Sequence, residues 1–442
     1  MENVVKFIFG IFVMAINILN AIIKSIIGSV NANRLDEENR TKRGVIKYQP
    51  SQIECFFPSN AAMTNVAISG GDSRIRSQTI SAIISVAFAN NFPVVVLHEA
   101  NRELETMMQN QLAHSNRLII INQLNPLYDP FVGLTDNEIS RLIMDSAPKE
   151  FDIKPNAKYY IDGMLAYLRA LNKTPSLNSF VTCPHTDLFN RIDAQVLNNT
   201  ITDAKRQEIK SKLMSGQSEC YKLESYFSTL SDQFGSILSR NSSQNKQSIT
   251  SAINDVKGIL IDITSNVNKL LIGVLVTQIK YAIGKGKYVS IIADELSTEN
   301  NELFCNLIRI RSDKCKMTIS SRDMFAMCNG DEKMFHTVIG NSEMIAIYGH
   351  SSGASATKWA DAIGYYDKTE KSTSSSSSVS QSTPYNIFNI NSYSKTSGST
   401  TTANYNIKRE HIIKPEEINR MQQNEVYIID SIRKEIAHTT LI

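Results

Sequence analysis

The chain has 442 residues, a formal net charge of +3, 42% hydrophobic residues and 20% charged residues. These values are close to those of average globular proteins, which excludes collagen-like structure and disorder over the whole chain. At roughly 100–200 residues per domain, the length indicates two to four domains. The near-neutral charge excludes a chain that is basic throughout, but it allows a local basic surface.

The cysteines show no C-x-x-C spacing and no histidine partners at zinc-ligand spacing. Their number is too small for a disulfide-stabilised scaffold of this length, so we expect reduced and mostly packed thiols. Such thiols fit a location in the cytoplasm for most of the chain. They are Cys55, Cys183, Cys220, Cys305, Cys315 and Cys328.

An uncharged apolar segment, FIFGIFVMAINILNAII, occupies residues 7–23. Because roughly 20 apolar residues span a bilayer, we predict a transmembrane anchor within residues 1–32. A helix lying in the membrane plane and a cleaved signal peptide are the alternatives, the latter because residues 30–32 resemble a cleavage site. One lysine precedes the segment and five basic residues follow it up to Arg43, which predicts that the rest of the chain faces the cytoplasm.

Apolar β-branched runs at Val66–Ile68, Val94–Leu97 and Leu118–Ile121 alternate with helical patterns after a polar linker at residues 33–65. This alternation predicts an α/β unit with a buried parallel sheet. We therefore assign residues 33–135 to the first part of a nucleotide-binding domain. Its second part is assigned to residues 286–442, where strands are predicted at 288–293, 317–320, 344–348 and 425–430, and helices at 299–312 and 322–340.

The stretch between these two parts, residues 136–285, has apolar residues at helical spacing and few glycines or prolines. It predicts an all-α domain inserted into the sheet domain. Residues 368–406 are rich in Ser, Thr and Asn and include five consecutive serines, Ser374–Ser378. Such a composition buries little apolar surface, which predicts a disordered loop.

A glycine-rich turn, GGDSRIRS, follows the first predicted strand at residues 70–77. The P-loop pattern G-x-x-x-x-G-K-[S/T] binds phosphate through backbone N–H groups where a strand leads into a helix. Gly70 and Ser77 match this pattern, whereas Ile75 and Arg76 replace its second Gly and its Lys. A β-branched side chain crowds the backbone, and a guanidinium is not equivalent to an ammonium. The turn is therefore either an altered P-loop or an ordinary strand-to-helix turn with solvated arginines.

A second acidic feature lies at the end of a later apolar strand, where Asp294 and Glu295 follow Ile291–Ala293. In P-loop ATPases an acid at this point holds the Mg²⁺ shell, and a neighbouring acid polarises the attacking water. A solvated strand end is the alternative interpretation.

Further segments share their order with a known family. They are VAISGG at 66–71, NPL at 125–127 with DP at 129–130, AKYY at 157–160, IADE at 292–295, KREHIIKPEEI at 408–418 and VYIID at 426–430. With them, nearly the whole chain resembles the type IV secretion coupling proteins, the TraG/TraD-like membrane ATPases of bacterial conjugation. These are related to the FtsK/HerA branch of RecA-fold motors.

This resemblance implies a RecA-like P-loop NTPase sheet with an inserted all-α domain and an N-terminal transmembrane helix. It implies ATP and Mg²⁺ as cofactors, with Ser77 and Asp294 on the metal and Glu295 activating water. The family often has a Gln after the next strand, but residues 319–322 contain none. The implied nucleotide-binding residues are Gly70, Gly71, Asp72, Ser73, Arg74, Ile75, Arg76, Ser77 and Gln78.

The function implied is that of an inner-membrane component that delivers a relaxase–DNA complex or a protein cargo to secretion channel proteins, as a homo-hexamer or hetero-oligomer. The altered motif leaves it open whether the chain is an ATPase. One alternative is a catalytically impaired structural subunit of the same apparatus. The other is an FtsK/HerA-like DNA translocase outside secretion.

Overall fold

The structure is a computed structural model that describes residues 2–56, 64–112, 117–240, 245–264, 269–296, 314–382 and 394–442. It divides into two compact units. The larger unit contains Lys47–Ala356 and Ile418–Ile442, and the smaller one contains Met1–Ile46 and Thr357–Glu417. The predicted helix at 299–312 lies outside the described residues.

The described strands are numbered in chain order. They are β1 (Val45–Lys47), β2 (Val66–Ser69), β3 (Val94–His98), β4 (Leu118–Ile121), β5 (Gly258–Asp262), β6 (Val289–Asp294), β7 (Cys315–Ser321), β8 (Met344–Tyr348), β9 (Tyr365–Ser382), β10 (Ser394–His411), β11 (Glu425–Asp430) and β12 (Glu435–Thr440).

The described α-helices are numbered in the same way. They are α1 (Glu2–Arg43), α2 (Ser73–Ala89), α3 (Arg102–Leu112), α4 (Asp136–Ser146), α5 (Ala157–Ala170), α6 (Leu177–Val181), α7 (His185–Leu197), α8 (Asp203–Ser215), α9 (Cys220–Phe234), α10 (Ile249–Asn254), α11 (Lys269–Gly284), α12 (Met324–Met327), α13 (Glu332–Asn341), α14 (Gly353–Ile363) and α15 (Pro415–Arg420).

The sheet of the larger unit has the strand order β12-β11-β8-β2-β7-β6-β3-β5-β4. Strands β8 to β4 in this order run parallel, while β11 and β12 are antiparallel to their neighbours. The inner strands β2, β3, β6 and β8 are buried throughout, as expected for β-branched runs covered on both faces. The α/β fold class with a parallel sheet is thus confirmed.

The carboxyl ends of β2, β6 and β7 meet at one edge because these strands are parallel neighbours. Helix α2 starts at that edge, immediately after β2. It packs into the hydrophobic core through Ile80, Ile83 and Ile84, each fully buried. Ligands of open α/β sheets bind outside the carboxyl ends of the strands. The edge beside α2 is therefore where the candidate site has to be sought.

Helices α4 to α10 form the predicted helical region, but its predicted end at residue 285 is wrong. Strand β5 lies inside the assigned range and pairs with both β3 and β4. A short apolar run such as Ile259–Ile261 does not distinguish a buried strand from a buried helix segment by periodicity alone. The strand begins at Gly258, where the backbone approaches α2 closely. A Cβ at this position would lie 2.5 Å from the Phe88 ring.

The smaller unit corrects two further expectations. Helix α1 continues to Arg43, so the first residues of the predicted linker are helical. It is the one helix, among the residues described, that is long and apolar enough to cross a membrane. The predicted disordered loop at 368–406 contains the paired strands β9 and β10, with residues 383–393 outside the described part. Strands β9 and β10 pair antiparallel through their backbones over 18 residues each.

Most other predicted strands are confirmed, whereas β12 was not anticipated. The predicted helix at 322–340 is two helices, α12 and α13. Asn329 and Gly330 separate them with left-handed φ angles of 56° and 68°. Asn and Gly adopt this conformation more readily than other residues, and it cannot continue a right-handed helix.

Candidate functional site

The connection between β2 and α2 has only three residues, Gly70, Gly71 and Asp72. Both glycines have positive φ angles, 86° and 70°. The N–H of Gly70 donates to the carbonyl of Ser321 at 3.1 Å, and that of Gly71 to the carbonyl of Gly349 at 3.0 Å. These bonds fix the connection against the ends of β7 and β8, and they use two donors that a phosphate-binding loop would present to its ligand.

Asp72 closes the amino terminus of α2. As the N-cap residue, it accepts a 2.9 Å hydrogen bond from the backbone N–H of Ile75 through its Oδ1 atom. Its other carboxylate oxygen accepts a hydrogen bond from the side-chain amide of Gln423. A helix amino terminus attracts anions because its N–H groups are unpaired and its dipole is positive there. The Asp72 carboxylate therefore holds the position that would favour a bound phosphate.

Arg76 lies one turn into α2 and is 3% exposed. Its Nη1 atom donates to the carbonyl of Gly71 at 2.8 Å. Its Nη2 atom is 3.0 Å from the carboxylate of Glu295, and its Nε atom is 4.0 Å from that of Asp294. The guanidinium thus faces both acids at the end of β6 from within the protein.

Asp294 is fully buried, and this burial raises the pKa of its carboxyl group. Asn101, which lies just before α3, donates to its Oδ2 atom at 2.6 Å through the side-chain amide. The same amide donates to the hydroxyl of Ser77 at 3.0 Å, and its oxygen accepts from the N–H of Leu104 at 3.0 Å. Asn101 therefore connects two predicted site residues, Ser77 and Asp294, although the sequence analysis did not select it. Its place after β3 at the ligand-binding edge is the signal that could have found it.

Glu295 follows β6 with a φ angle of 51°, in the left-handed region that non-glycine residues seldom adopt. Its carboxylate accepts a hydrogen bond from the backbone N–H of Arg322. Its own N–H donates to the carbonyl of Ser320 at 2.9 Å. These two contacts hold the left-handed backbone of Glu295 against the end of β7.

Two buried histidines, His98 and His350, lie next to the site. The ring of His350 contacts the carbonyl of Tyr348 at 2.8 Å through Nδ1 and the hydroxyl of Ser69 at 2.9 Å through Nε2. Burial lowers its pKa, so the neutral ring donates from Nδ1 and accepts at Nε2. His98 at the end of β3 is fully buried, and burial lowers its pKa to about 4. Its Nδ1 atom accepts from the N–H of Asn101 at 3.3 Å.

An open cavity of about 910 Å³ lies over these residues. Of the predicted site residues, Gly71, Asp72, Ser73, Arg76 and Glu295 line it. The other lining residues are mostly polar and come from several loops. They are Glu99, Ala100, Asn101, Thr264, Arg322, Gly349, His350, Ser351, Asn419, Met421, Gln422 and Gln423.

The remaining predicted residues do not share this position. Ser77 and Asp294 lie buried beneath the cavity, and Ile75 is part of the hydrophobic core at 3% exposure. Arg74 and Gln78 are exposed on α2, outside the cavity lining. The structure thus brings the altered motif and the acidic strand end together. Arg76 of the motif pairs with Asp294 and Glu295 of the strand end.

These residues do not fit Mg²⁺-ATP in the arrangement that the structure shows. The connection is too short to wrap around phosphates, and Asp72 places a carboxylate where a phosphate would bind. The Ser77 hydroxyl is bonded to Asn101, and Arg76 fills the space between the acids. Among the described residues there is also no group of three or more His, Cys, Asp or Glu side chains suited to a metal ion.

Residues 321–423 match a family described as the TraM recognition site of TraD and TraG. This part of the chain is TraG/TraD-like. The matched stretch begins at the last residue of β7 and ends at Gln423, whose amide donates to Asp72. No curated protein sequence matches the chain.

Solved structures with a similar fold come from the conjugative coupling protein TrwB. The unbound monoclinic form of TrwBdeltaN70 has a TM-score of 0.53 at 13% identity, over 87% of this chain and 86% of that one. The trigonal form with sulphate has a TM-score of 0.51 at 14% identity, over 92% of each chain. TrwB with the GTP analogue GDPNP has a TM-score of 0.50 at 12% identity, again over 92% of each chain. At such identities the similarity shows a shared RecA-type fold.

Proposed function

We propose that the chain is a membrane-anchored coupling-protein-type component of a bacterial conjugation or type IV secretion apparatus. It recruits a relaxase–DNA complex or a protein cargo and delivers this cargo to the channel. The match of residues 321–423 to the TraM recognition site of TraD and TraG carries this proposal. By analogy, a protein of the TraM kind is the partner that brings the cargo to this part of the chain.

The site geometry favours the catalytically impaired form of this function. The N–H groups of Gly70 and Gly71 are bonded to backbone carbonyls, and Asp72 caps α2. A chain with this connection contributes structure and recruitment, while an intact ATPase in a hetero-oligomer supplies energy. TrwB structures hold nucleotide analogues, so the difference is expected at the site and not in the fold.

Helix α1 supports the anchoring part of the proposal. Its apolar segment is as long as a bilayer requires, and its last turn carries Arg40, Lys42 and Arg43. These basic residues favour the cytoplasmic side, so the anchor lies in the inner membrane with most of the chain in the cytoplasm. Extraction of membranes at high pH tests the span: an anchored chain stays with the lipid, whereas a helix bound in the membrane plane is released.

The deciding experiment measures transfer of a conjugative element in cells that lack the gene and carry a plasmid-borne copy. We expect the wild-type chain and Glu295→Gln to restore transfer equally, and a chain without residues 321–423 to fail. Transfer that does not depend on the gene at all would contradict the coupling role. ATP turnover by the purified chain that Glu295→Gln abolishes would contradict only the impaired form.

The second alternative, a DNA translocase outside secretion, predicts DNA binding that weakens steeply with salt together with DNA-stimulated ATP turnover. The closed connection between β2 and α2 disfavours it. Both properties can be measured on the same full-length protein in detergent.

A further inference from the structure

We propose that Arg76 is a built-in counter-cation that takes the place of a divalent metal ion between Asp294 and Glu295, and that removing its charge uncovers a metal-binding site. This inference goes beyond the role in secretion and does not depend on it. It concerns how the chain neutralises two adjacent acids at the carboxyl end of a central strand.

The acids need a positive partner in the folded protein. Asp294 is fully buried, and a buried carboxylate is costly unless it is paired or coordinates a metal. Among the described residues, the guanidinium of Arg76 forms ion pairs with both acids, and Arg76 is itself 3% exposed on the neighbouring helix. Each group therefore compensates for the burial of the other.

Oxygen atoms from three described residues face this guanidinium. They belong to the carbonyl of Gly71 at 2.8 Å, the carboxylate of Glu295 at 3.0 Å and the carboxylate of Asp294 at 4.0 Å. Carbonyl and carboxylate oxygens are the ligands that Mg²⁺ and Ca²⁺ take in proteins. The fit to Arg76 is incomplete, because Nε of Arg76 and Oδ1 of Asp294 are both buried but lie 4.0 Å apart, too far for a hydrogen bond between them. Asp294 thus keeps an acceptor that a smaller and doubly charged ion can use better.

On the other side of the connection, a side-chain carboxylate takes the place of a bound anion. The Asp72 carboxylate caps α2 and accepts from Ile75 and Gln423, where an anionic ligand would otherwise neutralise the helix end. The chain therefore supplies an internal anion and an internal cation within five residues of each other. A metal ion and a phosphate would be redundant at these positions.

Manganese binding to the full-length protein in detergent tests the inference, with the electron paramagnetic resonance signal of free Mn²⁺ as the readout. We expect Arg76→Ala and Arg76→Gln to bind Mn²⁺ at least about tenfold more tightly than the wild type. Arg74→Ala is the matched control, because Arg74 lies on the same helix but is exposed. The double variant Arg76→Ala/Asp294→Asn should lose the gain, since one of the two acids is then neutral.

Thermal unfolding gives a second readout that does not involve DNA transfer or ATP turnover. Removing Arg76 should lower the Tm, and Mn²⁺ or Mg²⁺ should raise it again in the variants but not in the wild type. Equal Mn²⁺ affinity in the wild type and both Arg76 variants would overturn the inference. So would variants that stay unfolded in the presence of Mn²⁺, because the uncovered site should then support the fold. Either failure leaves the proposed role in secretion untouched.

Discussion

The side-chain amide of Asn101 donates a 2.6 Å hydrogen bond to the buried carboxylate of Asp294. The two residues belong to neighbouring parallel strands, one at the turn after β3 and the other at the end of β6. Because the same amide also donates to Ser77, one side chain sets the relative positions of three segments at the ligand-binding edge.

Replacing Asn101 should destabilise the protein without touching the core. In Asn101→Ala the carboxylate of Asp294 and the N–H of Leu104 both lose their partner. Each unsatisfied buried group costs about 1–3 kcal/mol, so for these two groups we expect a loss of roughly 2–6 kcal/mol in unfolding free energy. Urea denaturation checks this value. Asn198→Ala, at the exposed end of α7, is the control and should change stability little; a comparable loss there would contradict a specific role for Asn101.

Restoring the P-loop residues alone should not restore nucleotide binding. The double variant Ile75→Gly/Arg76→Lys recovers the motif letters, but the connection still has three residues and Asp72 still caps α2. Ile75 is a core residue, so its removal should cost about 2–5 kcal/mol through the cavity it leaves. Fluorescent-nucleotide binding and thermal unfolding measure the two effects. A gain in affinity at unchanged Tm would show that the connection can open as a P-loop does.

The stability of the protein should fall as the pH is lowered from 6.5 to about 4 because of His98. Its folded pKa of about 4 is below the ordinary value of 6.5, so the unfolded state takes up a proton first. A difference of this size is worth about 3 kcal/mol at 1.36 kcal/mol per pKa unit. The raised pKa of Asp294 acts in the opposite direction, because a proton bound more tightly in the folded state stabilises it as the pH falls.

The measurement is therefore a comparison of pH profiles. Unfolding free energies of wild type and His98→Gln, taken between pH 7 and pH 4, should differ in slope, with the variant flatter. His336→Gln, at an exposed position on α13, should follow the wild type. Parallel profiles for the wild type and His98→Gln would show that His98 does not carry this pH dependence.

In the smaller unit, Asn39 should hold the start of the long hairpin. Its side-chain amide donates to the carbonyl of Thr369 at 3.0 Å, and its oxygen accepts from the N–H of Thr369 at 2.9 Å. In Asn39→Ala both bonds are lost, which should make local opening about 1–2 kcal/mol easier. Hydrogen exchange at the Thr369 amide should then be faster. Exchange that is unchanged, or equally faster in Asn33→Ala on an exposed face of α1, would contradict this role.

The fold could be predicted to the extent that local apolar patterns determine it. Val94–Leu97 and Leu118–Ile121 are apolar runs rich in β-branched residues, and both are strands in the structure, the first fully buried and the second partly buried. Strand β5 was missed because its short apolar run, Ile259–Ile261, carries no periodicity of its own. Strands β9 and β10 could not be predicted from composition, since their Ser- and Thr-rich sequence has no apolar pattern and the structure shows them through backbone pairing.

The sequence indicated which residues lie together at the candidate site, but not which contacts their side chains make. The order of β2, α2 and β6 placed Arg76 near Asp294 and Glu295, and the structure brings them together. The interpretation of residues 70–77 as one phosphate-binding loop depended on where α2 begins. The N-cap hydrogen bond of Asp72 starts the helix at Ser73, so Arg76 is a helix residue that turns back toward the acids. The start of α2 is thus determined by the cap that Asp72 forms, and the spacing of the motif does not reveal this contact.

The pairing of Arg76 with Asp294 and Glu295, together with the cap that Asp72 forms on α2, also limits how such a sequence can change over time. A single substitution at Arg76 leaves two acids uncompensated, and one at Asp72 leaves the end of α2 uncapped. A route from this arrangement to one that binds an external ligand therefore requires coordinated changes, with less stable proteins as intermediates. Proteins tolerate only a few kcal/mol of such loss, so the present arrangement is expected to persist once established.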